Sequence, residues 1–92
     1  MKQAELDQLE QEDQVGRKAA TAYENFIGPF MDAKRMDLFD AFQTISINEP
    51  EMLQETKRQL LVLNTLDQEI KTIIETGKMA SQQLSQIPKE RH

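Results

Sequence analysis

From Phe30 to Ile45 apolar residues recur with a helical period. On a helical wheel Phe30, Met31, Leu38, Ala41, Phe42 and Ile45 share one arc, and Asp32, Asp37, Asp40, Gln43 and Thr44 lie opposite. This spacing predicts an amphipathic helix over about 29–46. Lys34 and Arg35 fall inside the apolar arc, which predicts that their stems follow the edge of the buried surface while their charges reach water. Phe39 lies off the arc and is the best candidate for an exposed anchor. Upstream, Gly28-Pro29 predicts a break: the residue before proline is pushed out of the α region, and proline suits the first turn of a new helix.

A second boundary follows. Thr44-Ile45-Ser46-Ile47-Asn48 is β-branched and polar, and Glu49-Pro50-Glu51 combines an early-turn proline with acids at the positive end of a helix, with Asn48 as the candidate cap. A long helix is predicted from there to Leu84. Its apolar groups repeat as heptads, with Leu63, Ile70 and Leu84 at one seam position, Leu66 and Ile73 three residues on, and Ile74 on the flank. At Gly77, Ala80 and Ser81 the stripe becomes small, which suits close approach of another backbone. Gly77 can also be read as a helix terminus; Met79 to Leu84 are helix formers in the same phase and favour continuation.

Residues 2–14 favour helix by propensity but carry only Leu6 and Leu9 as large apolar groups among five acids and four glutamines. They are expected to be frayed, solvent-bridging or disordered, with order beginning near Arg17. The predicted class is therefore all-α. A short or frayed N-terminal helix leads into an antiparallel hairpin of helices 29–46 and 50–84, joined at Ser46-Ile47-Asn48-Glu49. The expected organisation is an acidic segment 1–16, a hairpin domain 17–87 and a disordered tail 88–92.

Composition narrows the chemistry. Ninety-two residues make one domain, and a 38% hydrophobic content lies below the ~45–50% of average domains, so a well-filled independent core is not expected. Eleven basic against 16 acidic residues give a net charge of −5, the wrong sign for displacing counterions from nucleic acid, and the basic residues form no stripe. There is no cysteine, and the one histidine is His92. The three glycines are isolated, which rules out a phosphate-cradling loop, and the helix-borne acids read as a solvated face. No catalytic, cofactor-binding or metal-ligating residue is expected, and the chain is not read as an enzyme. Leu60-Leu61-Val62-Leu63 is the longest apolar run, far short of a membrane span, and the N-terminus lacks the apolar stretch of a secretion signal. The expected location is the cytoplasm.

Interaction remains. Tyr23, Phe26, Phe30, Phe39 and Phe42 are the whole aromatic content, a cluster that suits a core or an interface hot spot. Met31, Met36, Met52 and Met79 suit gap-filling or an adaptable surface. An unbroken helix from Glu51 to Leu84 would extend about 50 Å, whereas a compact 92-residue globule is roughly 30 Å across. The second helix covers only half of the long stripe. The rest must bend back at Gly77, be covered by the N-terminal segment, or pair with another chain, and the heptads favour pairing. The expected interaction residues are Phe39, Phe42, Leu63, Leu66, Ile70, Ile73, Ile74, Gly77, Ala80 and Leu84, in a homo-oligomer.

The stretch Ile74-Glu75-Thr76-Gly77-Lys78-Met79-Ala80-Ser81-Gln82-Gln83-Leu84, with the upstream Phe39-x-x-Phe42 helix and polar turn, resembles small helical proteins encoded in tailed-phage genomes. The similarity covers roughly residues 17–84; the tryptophan such proteins often carry early in the long helix is replaced here by Leu61 and Val62. The resemblance implies a phage origin and a helical hairpin, and supplies no active-site residue. The functional expectation is a non-catalytic interaction or assembly component, a small phage structural or accessory protein in the host cytoplasm or on the virion. The alternative is a phage-encoded regulator that binds and inhibits a host protein.

Overall fold

A computed structural model describes residues 2–87, so the expected tail 88–92 lies outside the described residues. Among the described residues there is no strand. The elements are α1 (Gln3–Ala22), a π turn (Tyr23–Ile27), α2 (Gly28–Thr44) and α3 (Pro50–Ser85). The arm from Gln3 to Thr44 packs against α3 as a helical hairpin, as the periodicity predicts. The chain divides into two compact units, one formed by residues 2–22 with 70–87 and the other by 23–69.

The turn is set by local chemistry. Ile45 leaves the helix in an extended conformation while its N–H still donates to the Ala41 carbonyl at 3.1 Å. The Glu49 N–H then closes on the Ser46 carbonyl at 3.0 Å, and the Asn48 N–H donates to Ser46 Oγ at 3.1 Å. Pro50 opens α3, where its fixed φ suits a first helical residue and its missing N–H costs nothing. The first carbonyl to accept is that of Glu49, from Leu53 N–H at 3.2 Å, so Asn48 stands one residue before the cap position assigned to it. α3 runs 36 residues, straight through Gly77.

The first arm departs from the expected boundaries in two places. α1 is one helix of 20 residues that crosses Gly16, so the change of composition there is not the start of order. Pairs four residues apart support it: Gln3 Nε2 donates to Asp7 Oδ1 and Arg17 Nε to Asp13 Oδ1, each at 2.8 Å. At Gly28-Pro29 the chain does not break either. Pro29 lacks a donor and its ring crowds the carbonyl four residues back, and the π turn over Tyr23–Ile27 widens the backbone there.

That turn inserts one residue into the phase of the arm. In α1 the more buried positions include Leu6, Leu9, Asp13, Gly16 and Ala20, alternating by three and four. Continued unbroken, the series would reach Phe30, Lys34 and Asp37. Instead Met31, Arg35, Leu38 and Ile45 turn inward: Met31 is 5% exposed and Phe30 56%. The predicted arc of α2 is correspondingly narrower, since Phe30, Ala41 and Phe42 are exposed.

The inward face of α3 is a heptad series of Leu53, Thr56, Leu60, Leu63, Asp67, Ile70, Ile74, Gly77, Ser81 and Leu84. The expected positions Leu66 and Ile73 are therefore one step off the seam, 49% and 45% exposed. Among the described residues the buried apolar side chains are Met31, Leu63 and Ala80, with Asp67 buried among polar ones.

Candidate interaction surface

Within the unit 23–69, one side of α2 and the start of α3 form an apolar groove of about 700 Å³. Met36, Phe39 and Phe42 line it from α2, and Thr56, Lys57 and Leu60 from α3. The wheel places Phe39 off the apolar arc because the seam does not use it, and it stands 58% exposed in this groove. The other flank carries Phe30, with the Lys34 ammonium 5.8 Å from its ring centroid, a cation–π distance.

Beside the groove, on the seam, is a polar cluster. The Tyr23 hydroxyl donates to Asp67 Oδ1 at 2.5 Å, and the Arg35 guanidinium donates to Oδ2 at 2.6 Å. Arg35 also donates to Asn64 Oδ1 at 3.1 Å and to Asp32 Oδ1 at 3.3 Å. Asp67 is only 4% exposed, so charge-assisted donors compensate its desolvation. The pKa of Arg35 is raised above its ordinary value, first by the hydrogen bond to Asp67 and further by the nearby negative charges. The stem of Arg35 follows the seam as expected, but its charge bonds a buried carboxylate instead of simply reaching water. Hydropathy misses this cluster because its centre is an aspartate. The available signal is spacing, with Asp67 four residues after Leu63 and three before Ile70.

The unit of 2–22 with 70–87 shows what covers the far part of α3. Gly16 of α1 meets Gly77 backbone to backbone: a Cβ on Gly16 would lie 2.6 Å from the Gly77 Cα. Ala80 is buried close by in sequence, and Arg17 donates to Ser81 Oγ at 3.2 Å. The small residues 77, 80 and 81 are thus matched by the N-terminal helix of the same chain, where the length argument favours a second chain. Leu63, Ile70, Ile74, Gly77, Ala80 and Leu84 belong to the inward side of the hairpin. Of the predicted interaction residues, Phe39, Phe42, Leu66 and Ile73 remain exposed, and only Phe39 and Phe42 are brought together in one groove.

Among the described residues, no helix is long and apolar enough to cross a membrane. No protein-family model matches the chain, and neither a curated protein nor a solved structure matches it.

Proposed function

We propose that this chain is a non-catalytic interaction or assembly component that works as a self-associated helical bundle. The observation that carries the reading is the contrast, among the described residues, between three buried apolar side chains and the exposed Phe30, Met36, Phe39, Phe42, Leu61, Val62 and Leu66. A well-buried large apolar side chain contributes roughly 1.5–3 kcal/mol, while ordering each residue's backbone costs about 1–2 kcal/mol. Two helices leave their outer sides wet, and helical bundles gain stability by covering such sides with further helices.

The cytoplasmic or virion setting of a small phage structural or accessory protein is part of this proposal and rests on the sequence resemblance. Sedimentation equilibrium at tens of micromolar tests the self-association: a mass at least twice 10.7 kDa is expected, and a folded monomer rejects it. Recovery of the protein with purified particles tests the setting.

A further inference from the structure

We infer that Asp67 is a latch on the π turn: one buried carboxylate holds Tyr23 and Arg35 at once, and this double hold forms only while the turn keeps its extra residue between them.

Phase carries the argument. Tyr23 and Arg35 are 12 residues apart, and steps of about 100° would leave them about 120° apart around a continuous α-helix. The residue absorbed by the π turn removes one step, which brings the two side chains within about 20° of each other. They then share a face but stand three turns, or about 16 Å, apart along the axis. Each leans toward the other. The Tyr23 ring lies forward over Gly28, where a Cβ would come 3.0 Å from its Cε1, and its hydroxyl donates to Asp67 Oδ1 at 2.5 Å. Arg35 leans back toward Asp32 and donates to Asp67 Oδ2 at 2.6 Å.

In the unbroken phase one of these donors would leave the face of the other, and Asp67, 4% exposed, would lose its bond. Asp67 therefore favours the π-turned arm by the free energy of that bond. Pro29 makes a departure from α geometry cheap, but a simple kink would relieve it without absorbing a residue. Met31 and Leu38 favour the same phase as Asp67, so losing the latch loosens the turn without reversing it. The phase held in this way is the one that sets Arg35, Met36, Phe39 and Phe42 along the groove. Asp67 is thus a positioning residue for the candidate interaction surface, acting through Tyr23 and Arg35.

Hydrogen exchange at the backbone amides of residues 24–28 tests the latch, at one fixed protein concentration, with Asp67→Asn, Tyr23→Phe and Ile74→Ala. The last shortens a seam side chain outside the cluster. Asp67→Asn should speed exchange in the turn about tenfold or more, and Tyr23→Phe to a lesser degree, because local opening gives up these bonds. Ile74→Ala should lower the urea midpoint and leave exchange in the turn unchanged. Turn amides that Ile74→Ala speeds as much as Asp67→Asn does exchange only by unfolding of the whole chain, and overturn the latch. Turn amides that neither Asp67→Asn nor Tyr23→Phe speeds overturn it as well, since the turn then opens without releasing Asp67. If Asp67→Asn does not fold, Tyr23→Phe against Ile74→Ala decides by the same comparison.

Discussion

Gly16 and Gly77 face each other across the hairpin with no room for a methyl group: a Cβ on either residue would lie 2.6 or 2.7 Å from the other's Cα. Each glycine sits inside a helix, where it costs about 1 kcal/mol relative to alanine. Close backbone approach accounts for both. Gly16→Ala and Gly77→Ala should therefore each lower stability despite the gain in helix propensity, since the obstruction is backbone and overpacking costs about 1–3 kcal/mol. Thermal denaturation followed by circular dichroism, at one fixed protein concentration, should show Tm falling by several degrees. An unchanged or higher Tm would show that the helices separate at little cost.

The Asp67 cluster should behave as a unit. Asp67→Asn removes the charge that both donors engage and should cost about 1–3 kcal/mol, read from the midpoint of urea unfolding. Tyr23→Phe should cost about 1 kcal/mol by removing one hydrogen bond. Because the two side chains are in direct contact, the double variant should be less destabilised than the sum of the singles. Simple additivity would mean that the hydroxyl and the carboxylate act independently.

The π turn sets which residues of α2 face inward, so its length is testable. Deleting Asn25 would remove the extra residue and restore an unbroken α phase that still directs Met31, Arg35 and Leu38 toward the seam. Cooperative unfolding should therefore survive the deletion with a modest change in the urea midpoint, and loss of the cooperative transition would contradict the one-residue phase shift. Met31→Ala should cost about 2–5 kcal/mol as a core truncation. At concentrations where the chain is dispersed, Phe30→Ala should change stability by less than about 1 kcal/mol.

Phase on α3 separates folding from association. Ile70 is half-buried on the inward side and Leu66 is exposed beside it. Ile70→Asp should therefore lower helicity and stability, because a charge on the seam is desolvated without a partner. Leu66→Asp should leave the far-ultraviolet spectrum unchanged. Equal losses in the two variants would contradict the inward series of Leu63, Asp67 and Ile70.

Much of the fold is legible in local pattern. The helical period of α2, the polar turn at Ser46–Glu49, Pro50 as a helix start and the helix formers beyond Gly77 all depend on residues within a few positions of one another. So does the off-arc place of Phe39, which the structure leaves exposed in a groove. What tertiary packing decided is phase and partner. Hydropathy places Leu66 and Ile73 on the seam because they are apolar, but Asp67 takes the inward position since Tyr23 and Arg35, distant in sequence, arrive to satisfy it. Gly28-Pro29 reads as a break in one dimension, while in three the π turn carries the helix across it and turns Met31 inward. The weakly apolar N-terminal segment is ordered because Gly16 admits Gly77 at backbone distance, a match between residues 61 positions apart that no local propensity expresses. Helix formation is a near-neighbour property of the chain, whereas the choice of the face to bury depends on what the other helix presents to it.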